Sequence, residues 1–166
     1  VIAVIKTYPL AEHFLLSVST FVMVGFLFVS YISQTVIGIE HHQERAGGPL
    51  VYLHIGILIA INIITAGGEM YYDGQLLEMG SSMVLVGITL FYVCLFGTSR
   101  YNKEGLQMTK QVAMSYFVVY LIGVILAILF KNNTLLFFGI LAIQSVSMTQ
   151  VAFHFRKEWI QENIQF

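Results

Sequence analysis

From Phe14 to Ile39 the chain carries no charged side chain. At about 1.5 Å of rise per residue, a helix over that stretch is long enough to cross a ~30 Å hydrocarbon core with tilt to spare. A soluble protein would have to bury such a helix on every side, and this chain has little with which to do it. Charged residues make up 10% of its 166 residues and hydrophobic ones 57%, against about 25% charged in ordinary soluble domains. Lipid is the better solvent for this surface, and the 13 Phe and 9 Tyr suit lipid-facing and interfacial positions.

Further apolar runs repeat the pattern. Punctuation by turn and cap residues predicts helices over about 9–39, 49–67, 81–98, 110–130 and 134–155. Pro9 suits a first helical turn, and Gly47-Gly48-Pro49 closes one helix and opens the next. Ser81 and Thr134 are candidate caps, and Lys131-Asn132-Asn133 reads as a tight turn. The paired Gly67-Gly68 precedes the acidic segment Glu69-Met70-Tyr71-Tyr72-Asp73-Gly74, into which the second helix is expected to continue for about one turn. Short connections favour antiparallel packing of sequence neighbours. The expectation is an all-α integral membrane protein, an up-and-down bundle of about five transmembrane helices forming a single domain over 1–166.

Basic residues orient the bundle. Arg45, Arg100, Lys103, Lys110, Arg156 and Lys157 fall on one side, and Lys6 and Lys131 on the other. By the positive-inside rule the N-terminus is outside and the C-terminus on the cytoplasmic side. The expected location is the cell membrane or an equivalent energy-transducing membrane, with lipids and other membrane subunits as partners. The near-neutral charge gives no footing for nucleic acid.

That topology brings histidines to one depth. His41 and His42 end the first helix, His54 lies early in the second, and His154 lies near the end of the fifth. Two polar stripes lead toward them: Ser30, Gln34 and His41 on the first helix, Gln144, Ser147 and His154 on the fifth. Asn62 lies roughly on the His54 side of the second helix. Polar groups at membrane depth are expected to face the bundle interior. Imidazoles from several helices at one level suit axial ligation of a b-type haem, a transition-metal site with Glu40 or Glu44, or a proton relay. His41, His42, His54 and His154 are therefore the candidate cofactor-binding residues. The plainer reading is that boundary histidines are solvated and polar stripes hold helices together, which leaves this chain by itself with no cofactor.

Glu69, Asp73 and His13, with Glu12 and Glu78 nearby, form an outer oxygen-rich patch. It is a candidate for a hard cation, or else a solvated acidic loop. The single cysteine, Cys94, excludes an intrachain disulfide and Cys-x-x-Cys chemistry. No nucleophile constellation, phosphate-binding glycine loop or His-Glu-x-x-His motif is present, so no catalytic residue is assigned.

The expected function is that of a small polytopic subunit of a larger membrane complex, a respiratory or other membrane-bound oxidoreductase. Its role there would be structural packing, with haem or metal at the inner-side histidines in the stronger form. On this reading the chain is an accessory subunit with no chemistry of its own. The alternatives are a stand-alone channel or transporter, and a membrane enzyme handling a lipophilic cofactor such as quinone or haem.

Overall fold

The computed structural model describes residues 14–40, 42, 46–72 and 76–163. Helix α1 spans Phe14–Ile32 and continues as a π-helical turn over Ser33–Gly38. Helix α2 is Gly48–Tyr72, and α3 is Leu77–Gly97 with a 3-10 turn over Thr98–Tyr101. Helices α4 and α5 are Lys110–Leu129 and Thr134–Asn163. Five of these stretches are long and apolar enough to cross a membrane, as the uncharged runs led us to expect.

Helix α2 continues past 67 to Tyr72, about the one further turn expected, with Gly67, Gly68, Tyr71 and Tyr72 all buried. Several boundaries differ from the sequence reading, each for a local reason. Helix α3 starts at Leu77, a turn before Ser81, whose hydroxyl donates back to the Glu78 carbonyl at 3.1 Å instead of capping the helix. The cap of α5 is Asn133, not Thr134: its Oδ1 accepts the Leu136 N–H at 3.0 Å. At the far end α5 runs past Phe155 to Asn163, and this extension holds Arg156 inside the protein. Helix α4 starts at Lys110 as expected, capped by Thr109, whose side chain accepts from the Val112 N–H at 3.3 Å.

Lipid chains are as apolar as leucine, so two helices gain little by hiding hydrocarbon from them and must gain instead from close contact and hydrogen bonds. Small residues set where backbones approach. A Cβ added at Gly80 would stand 2.4 Å from the Tyr71 backbone nitrogen, one at Gly67 2.8 Å from the Val84 nitrogen, and one at Gly87 2.9 Å from the Ile64 nitrogen. Helices α2 and α3 are accordingly the tightest pair, while α1 and α4 both pack on α5.

That pairing corrects one expectation. Helix α1 has its main contact with α5, from the other end of the chain, and not with its sequence neighbour α2. The reason is a stripe on α1 at alternating three- and four-residue spacing, Thr20, Met23, Leu27, Ser30 and Gln34, all of them buried. Ser30 and Thr149 hydroxyls meet at 2.7 Å, and Thr149 also donates to the Phe26 carbonyl at 3.3 Å. Contacts between α1 and α2 and between α3 and α4 are made by larger side chains. Thr20 meets the Tyr72 hydroxyl at 2.8 Å, and the Phe96 and Tyr116 rings lie 4.8 Å apart.

The connections are tied as well. The Tyr71 hydroxyl donates to the Lys131 carbonyl at 2.7 Å, and Lys131 Nζ reaches Glu78 at 2.6 Å, which joins the start of α3 to the α4–α5 turn. In a second group the Glu40 N–H donates to the Tyr101 carbonyl at 2.8 Å and the Lys103 N–H to the Gly38 carbonyl at 2.9 Å. The segment after α3 is thereby clamped onto the end of α1. Gly105, at φ 85°, permits the turn in which the Leu106 N–H bonds the Lys103 carbonyl at 3.0 Å.

Candidate functional site

Where the π-helical turn of α1 meets the last apolar turns of α5, Arg156 is buried, with 4% of its surface exposed. One terminal nitrogen, Nη1, donates to the Ser33 hydroxyl at 2.6 Å. The other, Nη2, donates to Gln34 Oε1. Gln34 in turn donates its amide N–H to Asn102 Oδ1 at 2.7 Å, and Asn102 donates to the Leu106 carbonyl at 2.7 Å. This chain of donors fixes the Gln34 amide with its oxygen toward the guanidinium. Among the described residues every partner of the cation is neutral, and Nε has none.

The local backbone explains how the arginine fits. The Ile39 N–H reaches the carbonyl five residues back, on Gln34, at 3.1 Å, the bond that defines a π turn. Within the turn a Cβ at Gly38 would lie 2.9 Å from Gln34 Oε1 and 3.3 Å from Arg156 Nη2. Glycine at 38 therefore leaves room for the amide to fold back and for the guanidinium to seat on it. π turns within α-helices recur at functional sites, and here the turn presents Ser33 and Gln34 to the charge.

Beside the guanidinium is a void of about 20 Å³, bordered among others by Arg156, Gln34, Asn102, Tyr92, Tyr116 and Met148. That is room for one water-sized occupant. The Tyr92 hydroxyl is a second buried polar atom without a hydrogen-bond partner. Ser145 on α5 approaches it, but the Ser145 hydroxyl donates to the Leu141 carbonyl at 2.8 Å and does not reach bonding geometry with Tyr92.

Of the histidines singled out by sequence, His42 is exposed and His154 is exposed on α5. His54 is half-buried; its ring meets Tyr31 edge-on at 5.7 Å, and Nδ1 stands 3.0 Å from the Leu50 carbonyl. His41 lies outside the described residues, as do His13 and Asp73, and Glu69 is exposed. Among the described residues no three His, Cys, Asp or Glu side chains gather where they could hold a metal ion. The polar stripe expected on α5 is also shifted. Gln144 is buried, but the face toward the core continues through Ser145, Thr149, Ala152 and Arg156, whereas Ser147 and His154 turn outward. The usable signal was Gln34, already in the correct stripe on α1. Arg156 was missed because an arginine beside Lys157 at the end of an apolar run resembles an ordinary interfacial charge.

Asn62 also departs from expectation. It sits near the middle of α2 and is exposed, and its one hydrogen bond is the amide donating to the Leu58 carbonyl of its own helix at 2.8 Å. Leu58 and Thr65 share this face and are exposed too.

No family model, no curated protein and no solved structure matches this chain.

Proposed function

We propose that the chain is a polytopic subunit of a larger membrane assembly, with its N-terminus outside and its C-terminus on the cytoplasmic side of an up-and-down bundle. Asn62 supports this reading. A carboxamide on the outer face of an apolar helix, facing hydrocarbon, leaves its oxygen and second N–H unsatisfied. Against a second transmembrane helix the same group becomes an interhelical hydrogen bond, worth about 0.6–2 kcal/mol in membranes. The occupant of this face is another membrane helix that presents a polar side chain.

Cysteine crosslinking in native membranes tests the proposal, with Thr65→Cys on this face in a Cys94→Ala background. The expected result is a discrete crosslinked species, to a second copy or to a different chain, that Asn62→Leu weakens. Only uncrosslinked monomer, or a crosslink indifferent to Asn62→Leu, would sink the idea.

His54 favours a cofactor-bearing form of the same subunit, in a respiratory or other membrane-bound oxidoreductase. A carbonyl only accepts, so the Leu50 contact places the proton on Nδ1 and leaves the Nε2 lone pair free. A histidine ligand to metal or haem commonly has this tautomer fixed by a backbone carbonyl. The purified assembly should then show a reduced-minus-oxidised haem spectrum that His54→Ala abolishes; an assembly with no such spectrum leaves the structural role alone.

A further inference from the structure

The buried cation beside the π turn has no counter-charge among the described residues. Lys131 pairs with Glu78, whereas Arg156 has no acidic partner among the described residues. The groups around the void come from every element packed there: Ser30 and Gln34 from α1, Tyr92 from α3, Asn102 from the following loop, Tyr116 from α4 and Met148 from α5. All are neutral. Taking a guanidinium out of water costs several kcal/mol, which an opposite charge or a full set of hydrogen bonds must offset. Ser33 and Gln34 supply part of that set, and Nε supplies nothing.

We infer that this void is a binding site for a small inorganic monoanion of halide size, held by the Arg156 guanidinium with the Tyr92 hydroxyl as a further donor. Three independent features agree. The charge is fixed and uncompensated, so an occupant bearing one negative charge gains an attraction that a neutral water does not. Two of the residues that line the void, Arg156 and Tyr92, each carry a buried polar atom without a partner, Nε and Oη, and both atoms can donate a proton, as an anion requires. The volume, about 20 Å³, admits one water-sized sphere and is too small for a phosphate group or a lipid headgroup without rearrangement. Asn102 engages Gln34 through its oxygen and Leu106 through one amide N–H, so it has one further N–H to offer beside the arginine and the tyrosine. This site stands apart from the Asn62 face and does not depend on the assembly proposed above.

The experiment uses the purified full chain in detergent, with its thermal unfolding midpoint followed against added sodium bromide, sodium chloride or sodium gluconate at matched ionic strength. The expected result is a saturable rise with bromide and chloride that gluconate does not produce. Tyr92→Phe keeps the ring and removes the donor. It should shift the half-saturating halide concentration upward by roughly tenfold, the scale of one hydrogen bond to a charge. Arg156→Met should abolish the halide dependence. Bromide-soaked crystals should show an anomalous peak between the Arg156 and Tyr92 side chains. Equal midpoints in bromide and gluconate overturn the proposal, as does a halide effect unchanged by Tyr92→Phe or a bromide peak confined to other places. Because Tyr92→Phe leaves the cation's partners intact, the test holds even where Arg156→Met fails to fold.

Discussion

A guanidinium whose hydrogen bonds go to one hydroxyl and one amide makes Gln34 and Arg156 mutually dependent. Replacing Gln34 with leucine removes a hydrogen bond to a charged group and leaves the charge buried, at a cost of about 1.5–3 kcal/mol. Adding Arg156→Met to that background removes the stranded charge, and replacing a buried charge by an apolar side chain of similar length is often neutral or stabilising. The double variant should therefore be more stable than Gln34→Leu alone, with a coupling energy above about 1 kcal/mol. Denaturant unfolding of the four proteins in one detergent measures it, and additive single effects would show that the contact carries no weight. Little of this site was legible in the sequence. Gln34 stood in the right stripe, but nothing in the order of residues tells that a π turn folds its amide back over Gly38. Whether Arg156 faces lipid headgroups or the core depends on α1, more than a hundred residues earlier.

At the scale of elements, the helices follow from the uncharged runs because length and apolarity are local properties of the chain. Pairing is not local. The loops suggested neighbour-on-neighbour packing, which holds for α2 with α3 and for α4 with α5, whereas α1 packs on α5 through its buried Thr20–Gln34 stripe. The helix α2 continues through the paired glycines, as expected, and Gly67 is one of the points where α2 meets α3 closely. Gly80→Ala puts a methyl group 2.4 Å from the Tyr71 backbone nitrogen, and backbone cannot swing aside as a side chain does. Overpacking of this kind costs about 1–3 kcal/mol. Gly25→Ala is the control: its added Cβ meets nothing within 4 Å, and alanine's helix propensity favours it by up to about 1 kcal/mol. Thermal unfolding of both variants in the same detergent should show a lower midpoint for Gly80→Ala and an equal or higher one for Gly25→Ala. Equal effects would mean that the α2–α3 approach does not limit stability.

At the scale of the whole molecule, hydrogen bonds sort the connections into two groups. One holds Glu78 and Lys131; the other holds Gly38, Glu40, Tyr101 and Lys103. The second group is also where most of the basic residues lie, with Arg100, Lys103, Lys110, Arg156 and Lys157 in or beside it. Arg156 is buried among side chains, so the orientation signal rests on the other four and Arg45, still in excess over Lys6 and Lys131. Positive residues near helix ends are retained on the cytoplasmic side, so the orientation proposed above predicts the Asn102–Gly105 loop inside and the α4–α5 turn outside. The native thiol, Cys94, is buried and can be replaced by alanine, after which a single cysteine reports its own side. Asn132 and Glu104 are exposed in their turns and suit the purpose. In intact cells a membrane-impermeant maleimide should label Asn132→Cys and leave Glu104→Cys unlabelled until the membrane is opened. The reverse pattern would invert the molecule and put the Arg156 void at the outer boundary. There it would sample the external medium, and the anion it meets would be that of the surroundings instead of the cell interior.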